Sequence, residues 1–118
     1  MDIIVMDVKR GSVFLVDFNP ARGSEQAGFR PAIVIQNDIG NETSPTTIVA
    51  AITTASQKTY PFMVQLDEGE GGLERASAVN LAQILTIDKT RLRKKTGVLS
   101  RDRMKDVDIA LKRSLALS

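Results

Sequence analysis

The chain predicts a mainly β fold, a small curled sheet or barrel of short strands completed by one C-terminal α-helix. Short apolar runs recur over the first hundred residues, most of them ended by turn-forming Gly, Pro, Asn or Asp. Beyond Ser100 the apolar period lengthens from two residues to three and four. The 118 residues suit one domain, 1–118, with no internal repeat or low-complexity stretch.

Taken in order, "SVFLVDF" (12–18) is apolar on both alternating faces and ends at "NPARGSE", which marks a buried strand. "RPAIVIQN" (30–37) is a second strand, with Pro31 tolerable at its start. "DIGNETSP" (38–45) has the Gly, Asn, Ser and Pro of a long loop. "TTIVAAITT" (46–54) is a third strand, and period two puts Thr47, Val49, Ala51 and Thr53 on one face. "PFMVQLD" (61–67) is a fourth, followed by the turn "EGEGG" (68–72).

"SAVNLAQILTID" (77–88) is β-like and long enough to bend or break in two. "DKTRL" (88–92) suits a single helical turn before "KTGVLS" (95–100). Met104, Val107, Leu111 and Leu115 then recur at helical spacing, with Ser100 as N-cap and Ile109 off the stripe.

Composition bounds the chemistry. Hydrophobic residues make up 42% and charged residues 25%, ordinary values for a globular chain. There is no cysteine, which excludes disulfides and thiolate metal sites and fits a cytoplasmic location. Acidic residues in "MDIIVMDVKRG", with too short an apolar run, argue against a signal peptide, and no stretch is apolar enough to span a membrane. The net charge of +2 hides a split: residues 1–88 hold 6 basic and 11 acidic side chains, residues 89–118 hold 10 and 3. Such a basic end suits a polyanion or an acidic partner, or is a solvated surface unevenly decorated.

Without histidine or cysteine, Cys–His and Ser–His–Asp nucleophile systems are excluded. "GEGG" lacks the Lys-Ser/Thr ending of a phosphate-binding loop. Asp67, Glu68, Glu70 and Glu74 lack the alternation of a calcium loop, and a solvated turn suits them better than a metal site.

Cationic and hydroxyl groups remain. Arg30 ends the loop "GSEQAGF" against a strand and offers a planar fork to a phosphate, or an ion pair to Glu25. Thr53 ends the third strand, where its hydroxyl can meet a ligand, although threonine is also a common strand former. Gln83 in an apolar strand suits a base edge or a buried backbone group. "RLRKK" (91–95) suits phosphate contacts or plain solvation.

Together "RGSVFLVDFNPARGSEQAGFRPAIVIQND", "SPTTIVAAITT", "YPFMVQL" and "NLAQILTIDKTRL", in order from Arg10 to Leu92, resemble the MazF/PemK toxin endoribonucleases of type II toxin–antitoxin systems. The conjunction of G-S-E-Q-x-G-x-R-P with a later threonine-ended apolar strand is the specific part. The resemblance implies an SH3-like β-barrel with helices, a homodimer, and metal-independent cleavage of single-stranded RNA (mRNA) without a cofactor. It implies catalytic roles for Arg30 and Thr53, with Glu25 as general base or as a positioner of Arg30. Ser24, Gln26, Phe29 and Gln83 are then expected RNA contacts, joined by Arg93, Lys94 and Lys95 from the basic run. An acidic antitoxin is the expected inhibitor.

Two positions depart from the family pattern. Phe29 stands where some members have histidine, and Ser12 where an acidic residue is common. The rival functions on the same barrel are a gyrase-targeting toxin and a noncatalytic nucleic-acid-binding module.

Overall fold

The computed structural model describes residues 7–18, 28–55 and 58–118. Its strands are β1 (Ser12–Asp17), β2 (Phe29–Val34), β3 (Thr46–Thr54), β4 (Met63–Leu66), β5 (Ser77–Asp88) and β6 (Leu92–Val98). Its helices are α1 (Asp38–Thr43) and α2 (Arg101–Ser114), with 3-10 turns at Glu70–Gly72 and Lys89–Arg91. The strands form one antiparallel sheet in the order β4-β5-β3-β2-β1-β6. The mainly β class with a C-terminal helix is therefore as expected. Among the described residues β4 and β6 are not paired with each other, so the barrel-like sheet stays open there.

Both faces of the sheet are covered, which is why the central strands read as unbroken apolar runs. On one face Val13, Ile33, Ile52, Val79 and Leu81 pack with Leu99 and with Val107 and Ala110 of α2. On the other, Phe14, Val16, Ala32, Val34, Val49 and Leu92 form a second cluster. Val13 pairs with Ile33 and Phe14 with Ala32, so neighbouring residues feed opposite cores.

β5 does not break. Its register with β3 jumps from Ala50↔Ile84 to Ala51↔Asn80, so residues 81–83 form a bulge that bends one continuous strand. The turn expected after it is the 3-10 turn Lys89–Arg91.

The loop expected over 38–45 is instead mostly helix α1. Asn37 caps it, its side chain accepting from the Gly40 N–H at 2.7 Å. Asn41 is buried and holds the helix down: its Oδ1 accepts from Thr47 Oγ1 at 2.7 Å and Gln36 Nε2 at 3.0 Å. Its Nδ2 donates to Gln36 O at 2.9 Å, and its carbonyl accepts from Lys89 Nζ. Tertiary hydrogen bonds thus override a loop-like composition.

α2 begins as expected, with Ser100 Oγ accepting from the Arg103 N–H at 3.1 Å. Val107 is buried, Met104 and Leu111 pack against the core, and Ile109 is exposed. Leu115 is a correction to the expected stripe: it is the C-cap and is exposed, while Ala110 is buried in the helix. The chain leaves the helix through a left-handed Ala116 (φ 57°), with Leu117 N–H donating to Lys112 O at 2.7 Å, which turns Leu115 away from the core. Among the described residues no helix is long and apolar enough to cross a membrane.

A candidate nucleic-acid cleft

Arg30 and Thr53 are brought together by strand register. β2 and β3 pair Val34↔Val49, Ile33↔Ala50 and Ala32↔Ala51. Two further steps along that register place Arg30 opposite Thr53. The regular ladder stops at Ala32, and the next residue, Pro31, has no N–H to extend it. The strand ends separate there, and a cleft of about 850 Å³ opens, lined by Arg30 and Thr53 among others.

Arg30 is exposed, and among the described residues no hydrogen bond or ion pair holds its guanidinium. Its backbone is fixed by the β1 pairing Val16↔Arg30. A free fork on a fixed strand is well suited to a phosphate. Thr53 is half-buried, and its hydroxyl donates to Thr54 O at 3.2 Å, a weak local bond that an anion at the cleft can replace.

The opposite wall comes from the turn before β5 and from β6. Arg75, Lys94 and Lys95 line it, with Glu74 as an acidic neighbour. Lys95 Nζ leans away to Asp7, donating to its carbonyl at 3.1 Å and lying 3.6 Å from its carboxylate. Lys94 and Arg75 are exposed and make no ion pair among the described residues. Cations therefore dominate the cleft, which favours a polyanion.

This wall is braced. Arg103 of α2 donates through Nε to Glu70 Oε1 at 2.9 Å and through Nη2 to Oε2 at 2.7 Å. The same carboxylate accepts from the Asp67 N–H at 2.7 Å. These bonds hold the Glu70 carboxyl below the usual carboxylate range and raise the Arg103 guanidinium above its own. The acidic turn is thus tied to α2 through one carboxylate. Gly72 lies so close to β6 that a Cβ on it would sit 2.0 Å from Thr96 O. Thr96 Oγ1 in turn donates to Gly71 O at 2.8 Å.

Other expected residues fall elsewhere. Ser24, Gln26 and Glu25 lie outside the described residues. Phe29 is 62% exposed at the start of β2 and does not line the cleft. Gln83 is exposed in the β5 bulge, also away from the cleft. Arg93 reaches Asp17 instead, with Nη2 3.2 Å from Oδ2. Within the basic run Lys94 and Lys95 line the cleft while Arg91 and Arg93 reach Asp17, so it does not act as one patch. Ser12 is buried and closes a turn, its Oγ accepting from the Lys9 N–H at 3.3 Å. Arg75 was not singled out from the sequence; its signal is a cation at the junction of a turn and a strand, two residues before β5, as Arg30 is the second residue of β2.

Comparisons with known proteins agree with this architecture. Residues 9–115 match the model of the PemK-like, MazF-like toxin of type II toxin–antitoxin systems. A Bacillus subtilis (strain 168) protein named Endoribonuclease EndoA is 54% identical over 113 residues, covering 95% of this chain and 97% of its own. A mycobacterial endoribonuclease solved with its cognate antitoxin shares the fold at a TM-score of 0.79 and 23% identity, over 93% of this chain and 96% of its own. A MazE–MazF structure (Form-II) from Deinococcus radiodurans does so at 0.77 and 24%, over 96% and 100%. A match running from Lys9 to Leu115 across every strand and both helices means that this chain belongs to the PemK-like, MazF-like toxin family.

Proposed function

We propose that the chain is a toxin endoribonuclease that cuts single-stranded RNA sequence-specifically in the Arg30–Thr53 cleft and is inhibited by a cognate acidic antitoxin. The single observation that carries the reading is that Arg30 and Thr53 line one cationic cleft, with no partner on the Arg30 guanidinium among the described residues. The 54%-identical relative is named an endoribonuclease, which supports the same activity here.

In this reading an RNA 2′-hydroxyl attacks the adjacent phosphorus and the bond to the 5′-oxygen breaks. The products are a 2′,3′-cyclic phosphate and a 5′-hydroxyl. Negative charge grows on the nonbridging oxygens, where Arg30 donates to it through two parallel N–H groups. Thr53 turns its hydroxyl from Thr54 O to the phosphate and orients it. Glu25 takes the 2′-hydroxyl proton, and that proton equivalent returns on the leaving oxygen. No metal ion is required, because side-chain cations neutralise the charge.

The whole chain acts as one toxin domain, in the cytoplasm, as a homodimer whose paired clefts contact the RNA. Ser24, Gln26, Phe29, Gln83 and the basic residues of β6 serve base and phosphate contacts along its path. The antitoxin, an acidic chain, competes for the same cations.

The test is a defined single-stranded RNA and its twin with one 2′-deoxyribose at the scissile position, incubated with the protein in excess EDTA. Cutting of the first alone is expected. Survival of both, or equal cutting of both, contradicts the mechanism, and a gyrase-poisoning or merely RNA-binding protein leaves both intact.

A further inference from the structure

The cleft is lined by a second arginine that the cleavage chemistry leaves unused. Arg75 lines the cleft with Arg30, is exposed, and makes no ion pair among the described residues. Its backbone is nonetheless well fixed. Ser77 Oγ donates to Arg75 O at 2.9 Å, and the Ala55 N–H donates to Ala76 O at 3.2 Å. The Gly69 N–H donates to Leu73 O at 2.8 Å, and Arg103 holds Glu70 just upstream. A long cation with no ion pair among the described residues, carried on a braced segment, is arranged for a ligand rather than for the fold.

Its position says which ligand. β3 pairs Thr54↔Ser77 on one side and carries the register of β2 on the other. Arg75 therefore emerges beyond the β5 side of β3, while Arg30 stands on its β2 side. Their strands are two spacings apart, about 10 Å. The two forks thus flank the Thr53–Thr54 strand end from opposite sides. An extended nucleic-acid strand crossing that end presents one phosphate to each. Glu74, at the same rim, disfavours phosphate in its immediate neighbourhood, while Arg75, Lys94 and Lys95 favour it within the cleft.

We infer that Arg75 binds a nonscissile phosphate of the same RNA strand whose scissile phosphate lies at Arg30, so that the cleft grips two phosphates and sets the register of the cut. This rests on the reading of Arg30 and Thr53 as the cleavage site.

The experiment measures affinity for an RNA made noncleavable by 2′-deoxyribose at the scissile position. Wild type and Arg75→Ala are each tested against copies carrying a single neutral methylphosphonate at successive nonscissile phosphates. Arg75→Ala is expected to weaken binding roughly tenfold, as for loss of a charged hydrogen bond, and to lower the salt slope by about 0.7. One methylphosphonate position should weaken wild type by a similar factor and leave Arg75→Ala unchanged. If every position costs both proteins the same, Arg75 touches no phosphate and the inference fails. It fails equally if Arg75→Ala binds RNA fully; loss of antitoxin affinity alone would assign the residue to that protein partner. A wild type that neither binds nor cuts RNA overturns the functional reading itself. Binding and cutting without coupling overturn only the role of Arg75.

Discussion

Arg30 and Thr53 line one cleft where the β2–β3 ladder ends, each two residues beyond its last pair, Ala32↔Ala51. Among the described residues only one of the two groups is occupied, Thr53 Oγ1 by a weak bond to Thr54 O at 3.2 Å. Replacing Thr53 by valine keeps the strand shape and deletes the hydroxyl. We expect a loss of about 10- to 100-fold in cleavage rate from one charge-assisted hydrogen bond. Stability should stay within about 0.5 kcal/mol of wild type. Thermal unfolding beside a cleavage time course checks both, and an equal loss of fold and activity would count against a chemical role.

The fold depends on a polar group as much as on its two apolar layers. Asn41→Leu leaves Thr47 Oγ1 and Gln36 Nε2 without their shared acceptor. We expect a destabilisation of about 2–4 kcal/mol in urea unfolding. Adding Thr47→Val should recover part of it, because the orphaned hydroxyl is then gone, while Gln36 Nε2 still donates to Thr46 O at 3.0 Å. Strict additivity would mean that the two side chains do not share that bond.

Gly72 tests the close approach behind the cleft wall. Its φ is +76° and an added Cβ would overlap the backbone of Thr96, so alanine must push the turn off β6. We expect Gly72→Ala to destabilise by about 1–3 kcal/mol. RNA affinity should fall as well, since the displaced turn carries Arg75. Calorimetry and binding assays together decide this, and a neutral result on both would contradict the packing described.

Glu70 gives a pH signature. Hydrogen bonds from Arg103 depress its folded pKa below the unfolded value, so its contribution is fully present above about pH 4.3. It is lost as pH falls through the folded value. Glu70→Gln should cost about 1 kcal/mol at neutral pH, the upper range for a partly exposed pair. The gap from wild type should close under strong acid. A gap unchanged by acidification would mean that charge plays no part in the clamp.

The strands and α2 were legible because their apolar periods report burial directly, and Ser100 marked the helix start. α1 was not, because a six-residue segment with loop-like composition, DIGNET, is held helical by Asn37, Gln36 and Thr47. The site was half legible. Arg30 and Thr53 are set against strands in the sequence, but their facing arrangement exists only through register. Arg75 was hidden between an acidic turn and an apolar strand. The run "RLRKK" looked uniform, yet strand geometry sends Arg93 to Asp17 and Lys94 to the cleft. Gln83 stands in the β5 bulge, which no local pattern announced.

The most direct measurement is the single-turnover cleavage of a defined RNA by Arg30→Ala, with product ends identified and folding checked by thermal unfolding. The expected result is a fall of about 10²–10³ in rate, as for loss of a preorganised charge stabiliser. Wild type should leave 2′,3′-cyclic phosphate ends, and the variant should unfold at the same temperature as wild type. A folded Arg30→Ala protein that cuts at the wild-type rate would contradict the assignment of the cleft.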